Sequence, residues 1–158
     1  MFITGKWLAM LKEIAPNLMR AALVANPRTA AFDYFVRSAK ALAPSLAIDL
    51  VPTPVDSAAD IERAIETFAR EPNGGLVLPP DTTTVVHRDL IIALASRHRL
   101  PAVYAIRVFV AAGGLMCYGT DFVDLHRQAA SYVDSILRGA KAADLPVQTP
   151  TKDRKSVV

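Results

Sequence analysis

The strongest constraint on this chain is a rhythm: short apolar runs alternate with amphipathic stretches long enough to be helices. Residues 4–15 read as a helix that Pro16 ends. Residues 19–25 read as a buried strand, stopped by Asn26-Pro27. The stretch 29–43 then places Phe32, Phe35, Val36, Ala39 and Ala43 on one helical face. Residues 46–51 read as a second strand, closed by Pro52 and Pro54. Asp56 or Ser57 caps the next helix, whose buried face carries Ile61, Ala64, Ile65, Phe68 and Ala69. After the turn cluster 71–75, a short strand at 76–78 runs into Pro79-Pro80-Asp81.

The second half keeps the same rhythm. Thr82 to Thr84 offer caps to one helix through Arg97, with an apolar stripe of Val86, Leu90, Ala93 and Leu94. A strand at 102–105, a short helix or turn at 107–112 and a strand at 115–118 follow. Asp121 caps a helix carrying Phe122, Leu125, Ala129, Tyr132, Val133, Ile136 and Leu137, and Gly139 is its stop. From Asp144 on the chain reads as extended and punctuated by proline. Strand–helix repeats with short apolar strands predict an α/β fold, an open parallel sheet of about five strands flanked by helices. In such sheets ligands sit beyond the carboxyl ends of the strands. That rule selects the loops 26–29, 53–56, 79–84, 104–107 and 118–121.

Composition excludes several classes. With 158 residues the chain holds one domain and its core, too little for two full lobes. No apolar run reaches the roughly 18 residues of a membrane-crossing helix, and the amino terminus does not read as a secretory signal. The net charge of +3 comes from scattered cations without interleaved aromatics, so no nucleic-acid partner is expected. Arg97/Arg99 and the tail cations Lys152, Arg154 and Lys155 are the only clusters. A single cysteine, Cys117, excludes an internal disulfide and cysteine-built metal sites.

Catalytic machinery is not evident. There is no phosphate-binding glycine loop and no nucleophile elbow. His87 and His98 lie eleven residues apart on one predicted helix, too far to share a metal. All three histidines, His126 included, are expected at the surface. No catalytic residue, metal or cofactor is therefore expected. The residues that could hold a ligand lie at strand ends. Asp81 reads either as a polar anchor for an amine or hydroxyl, or as a cap. Asn26 reads as a ligand amide or as the closure of its own turn. Tyr104 and Tyr118 could stack on a solute or pack at an edge. Arg107 could clamp a carboxylate or stand exposed, and Cys117 reads as a small core residue.

The order of segments resembles one family. The matching stretches are Gly5-Lys6-Trp7-Leu8 to Ile14-Ala15-Pro16, then Ala22-Leu23-Val24-Ala25-Asn26-Pro27, then GGLVLPPD (74–81). They continue through HRDLIIALASRHRLPAVYAIRVFVAAGGLMCYGTD (87–121) and YVDSILRGAKAADLPVQTPTK (132–152). This resembles the ABC-transporter substrate-binding proteins with the type I periplasmic-binding-protein fold. The resemblance implies two lobes that close on a small solute such as an amino acid, an extracytoplasmic location and an ABC permease as partner. It implies a hinge-proximal helix at 1–16, a second lobe at 17–112, and a return strand and helix at 113–150 that pack on a first lobe outside this sequence. Residues 151–158 are expected as a polar tail. Carried over, the cleft positions are Asn26, Asp81, Tyr104 and Tyr118, with Thr82 and Arg107 beside them. The helix 121–138, lacking its partner, is expected to expose its apolar stripe or to pair with another copy of the chain. The competing reading is the ligand-sensing lobe of a transcription regulator, since repressors share this fold.

Overall fold

The computed structural model describes residues 3–147 and the backbone of residues 153–157. Elements follow in the order α1 (Ile3–Ile14), β1 (Arg20–Ala25), α2 (Phe32–Leu42), β2 (Asp49–Pro54), α3 (Ala58–Phe68) and β3 (Gly74–Leu78). Then come α4 (Thr82–Val86), α5 (Arg88–Arg97), β4 (Ala102–Tyr104), α6 (Val108–Ala111), β5 (Met116–Thr120), α7 (Phe122–Leu137) and β6 (Asp153–Val157). The strands form one sheet in the order β2-β1-β3-β4-β5-β6. The first five are mutually parallel and β6 runs antiparallel to β5.

The pleat divides the core in two. Alternate strand residues point to opposite faces. Ala21, Leu23, Val77, Val103 and Met116 pack with Trp7, Leu8 and Leu11 of α1 and Ala39 of α2. Ala22, Val24, Leu76, Leu78, Ala102 and Tyr104 pack with Ile61, Ile65, Ile91, Leu94 and Phe109 on the other face. Both faces being covered is why the central strands read as unbroken apolar runs. Ser57, not Asp56, caps α3 by accepting the Asp60 N–H.

Three boundaries differ from expectation. The second strand, expected at 46–51, is Asp49–Pro54. Leu46 belongs instead to a 3-10 turn, Ala43–Leu46, closed by Ala47 in the left-handed region. Pro52 and Pro54 do not stop the strand, because β2 is an edge and pairs only with β1. The single helix expected from Thr82 to Arg97 breaks at His87 (φ −98°, ψ 22°) into α4 and α5. The break changes the phase of the buried stripe. Val86 is 66% exposed and Ala93 is exposed, while Ile91, Leu94 and Ala95 face the core. Residues 153–157, expected within a polar tail, form β6. An edge strand is held by main-chain hydrogen bonds and needs no apolar run, so the pattern gave no sign of it. The remainder of that tail and the end of the extended run, residues 148–152 and 158, lie outside the described residues.

The helix α7 begins and ends as expected. Asp121 accepts the N–H groups of Val123 and Asp124. At the far end Gly139 (φ 102°) donates to the Ile136 carbonyl and Ala140 donates to that of Ser135, a paired closure that uses glycine's freedom at positive φ. None of the apolar residues of α7 joins either core cluster, and Leu137 is 82% exposed.

Candidate functional site

Five parallel strands bring their carboxyl ends to one edge of the sheet, and the loops selected from sequence gather there. The most ordered part is a network around Asp81. This residue caps α4, accepting the N–H of Thr83 (3.3 Å) on Oδ1 and that of Thr84 (2.9 Å) on Oδ2. Its Oδ2 also accepts the Asn26 N–H at 3.3 Å, and its Oδ1 accepts the Thr29 hydroxyl. Asn26 in turn donates its amide to Thr83 Oγ1 (3.0 Å) and to Asp56 Oδ1 (3.4 Å), while its Oδ1 accepts the Arg28 N–H at 2.9 Å. Asp56 is ion-paired with Arg28. Three loops, after β1, β2 and β3, are thus tied into one rim.

Two recesses open on this rim, with Ile106 between them. One, about 320 Å³, is lined by Thr29, Pro80, Asp81, Thr82, Val85 and Ile106. The other, about 230 Å³, lies over Ala105, Arg107, Cys117, Gly119, Thr120 and Asp121, with Phe122 at its edge. Gly119 permits the second: a Cβ there would sit 2.0 Å from the Ala105 carbonyl oxygen, so only glycine lets β5 approach the end of β4. Cys117 at its floor is 4% exposed, and burial pushes its thiol up to about 11, an effect that the charge of Arg107 opposes.

The six residues singled out from sequence divide. Asn26, Asp81, Thr82 and Arg107 converge on the rim. Asp81 stands there as a cap and a tie, its two oxygens accepting from four donors. Thr82 and Arg107 are exposed and line one recess each. Tyr104 does not face the rim. It is 1% exposed and stacks on Phe109 with ring centroids 4.4 Å apart. The pleat points it toward α5 and α6, and burial holds its hydroxyl above the usual tyrosine range. Tyr118 turns toward α1. Its hydroxyl meets the Lys6 ammonium, which also lies 4.8 Å from its ring centroid, and its carbonyl accepts the Trp7 indole N–H at 2.6 Å. Thr29, Thr83, Ile106 and Thr120 were not singled out individually, although the strand-end rule named the segments that hold all four.

A roomier recess, about 530 Å³, lies at the opposite pole, between Ile14, Leu100, Pro101 and Gly113-Gly114-Leu115, with Tyr104 in its wall. It sits at the amino ends of the strands and is mainly apolar, away from the convergent polar groups. The adjoining recess contains His98, whose Nε2 is buried; this histidine was expected at the surface, and its place at the end of α5 tucks it under the sheet. Of the other two, His126 is exposed, while His87 is half-buried at the α4–α5 break. Among the described residues no group of His, Cys, Asp and Glu could hold a metal ion. No helix among them is long and apolar enough to cross a membrane.

Residues 3–158 match the family described as ABC transporter substrate binding protein. The chain belongs to that family. Members of this substrate-binding family are named for holding solutes and not for catalysis. Solved structures share the fold. A conserved domain protein from Vibrio cholerae superposes with a TM-score of 0.85 at 24% identity, over 98% of this chain and 52% of that one. An ABC domain from Streptococcus pneumonia in complex with L-Trp gives 0.83 at 19% identity, over 98% and 53%. The ligand-free, open structure of CD0873 from Clostridium difficile, a substrate binding protein with adhesive properties, gives 0.73 at 21% identity, over 96% and 51%. No curated protein sequence matches. This substrate-binding-family chain therefore spans about half the length of the solved proteins it resembles.

Proposed function

We propose that this chain is the second lobe of an extracytoplasmic binding protein that delivers a small solute to an ABC permease. The observation that carries the proposal is the rim: three loops locked by Asp81 and Asn26 beside two small recesses at the carboxyl edge of the sheet. A rigid, concave, partly polar surface of this kind suits one side of a ligand. Neither recess encloses a solute by itself, so a first lobe would close over it by a hinge motion. Within this reading Thr82 and Arg107 face the solute. Asn26 and Asp81 hold the loops, and Tyr104 and Tyr118 brace the sheet beneath. The exposed face of α7 would pack on the first lobe. The solute class nearest at hand is an amino acid or a related molecule, as in the L-Trp complex of the Streptococcus protein.

The test is a thermal-shift screen of a two-lobe protein carrying this lobe against amino acids and other small solutes. A solute that binds only the folded state raises the midpoint in proportion to the logarithm of its concentration. One solute class is expected to do so, and Thr82→Tyr, which fills the first recess, is expected to abolish the shift. A screen without any shift would turn the assignment toward the sensory lobe of a regulator.

A further inference from the structure

We propose that the solute presents an oxyanion, a carboxylate or a phosphate, to Arg107 in the recess between β4 and the start of α7. This rests on the reading of the rim as a solute surface and adds the charge of what it holds. Among the described residues, the other charged groups at the rim have partners. Arg28 is paired with Asp56. Asp81 is buried and satisfied by four donors. Asp121 is 9% exposed and caps α7 through Oδ1. Arg107 is exposed and forms no ion pair among the described residues.

Arg107 lines this recess together with Cys117, whose thiol its charge acts to lower against the larger effect of burial. The Thr120 hydroxyl is in that wall as a second donor. The surroundings add to the preference. In a parallel α/β layer each helix that follows a strand starts at this pole. The positive ends of α2, α3 and α7, helices of 11, 11 and 16 residues, therefore point toward it. A planar guanidinium matches two oxygens of a carboxylate or phosphate in a fork. Asp121, the one carboxylate in the same lining, has its Oδ1 engaged by the N–H groups of Val123 and Asp124.

The test is an amide-resolved NMR titration of a two-lobe protein carrying this lobe with L-tryptophan, succinate and glycerol 3-phosphate. Each is set against a counterpart lacking the oxyanion: L-tryptophanamide, succinamide and glycerol. At least one oxyanion is expected to shift the amides of residues 105–108 and 120–123, with its counterpart bound tenfold or more weakly. Arg107→Gln is expected to weaken that binding tenfold or more, and Arg138→Gln, at the far end of α7, less than twofold. Whether succinate or glycerol 3-phosphate gives the larger response decides between carboxylate and phosphate. Rim shifts that survive both the loss of the oxyanion and Arg107→Gln would overturn the proposal and leave solute binding at the rim standing. Silence of the rim amides toward all six compounds would overturn both.

Discussion

Asp81 sits where the loops after β1 and β3 meet, and its value lies in the number of donors it satisfies. Loss of a cap costs roughly 0.5–2 kcal/mol, and a buried N–H left without an acceptor costs roughly 1–3 kcal/mol more. Asp81→Ala is therefore expected to destabilise the chain by about 2–4 kcal/mol, read as a lower urea midpoint at unchanged slope. Asp81→Asn keeps one acceptor oxygen and is expected to lose clearly less. Equal midpoints for Asp81→Ala and the parent would show that the network carries no stability. Cys117 makes a second residue-scale case. Its thiol is raised in the folded chain from an ordinary 9.0 to about 11 by burial. Above pH 9 the unfolded chain releases this proton and the folded chain does not, so stability is full below pH 9 and falls as pH rises toward 11. The raised Tyr104 hydroxyl acts in the same direction. Urea midpoints at pH 8, 9.5 and 11 should decline, and less steeply in Cys117→Ala. An identical decline in that variant would assign the loss elsewhere. Such a thiol should also resist thiol reagents at pH 8 until the chain unfolds.

At the scale of elements, the departures share a cause: local signals mark where a chain turns, and tertiary contacts decide how far each element runs. Pro52 and Pro54 look like stop signals until β2 proves to be an edge strand, where a missing N–H breaks no ladder. Thr82 to Arg97 looks like one helix until the α4–α5 break at His87 lets Ile91 and Leu94 turn to the sheet. The α7 helix shows the reverse situation, because its caps are local and formed as read. Its apolar face, with Val133, Ile136 and Leu137 exposed, has no place in either core cluster. An exposed stripe of this kind favours association. Light scattering on the isolated chain is expected to show concentration-dependent self-association, relieved by the double substitution Val133→Ser with Leu137→Ser. A monomer at the highest soluble concentration would refute that expectation.

At the scale of the whole molecule, the open parallel sheet and its helical cover were legible in the sequence. So were the loops that gather at the carboxyl edge of the sheet. Each follows from a repeating pattern: apolar runs too short for helices, amphipathic stretches between them, and polar loops after each run. Asn26, Thr82 and Arg107 could be named because a strand-end rule names loops. What the pattern could not supply was direction and pairing. Tyr104 and Tyr118 end strands alike in sequence, yet the pleat sends one under α6 and the other against α1. The carboxylate of Asp81 could be read as an anchor or a cap, and only the convergence of Asn26, Thr29, Thr83 and Thr84 around it shows the cap. The β6 strand left no apolar signature, because main-chain hydrogen bonds to β5 suffice for an edge. Sequence periodicity reports which residues leave water. Which groups they then meet is decided by how distant segments are brought together, and that belongs to the tertiary structure alone.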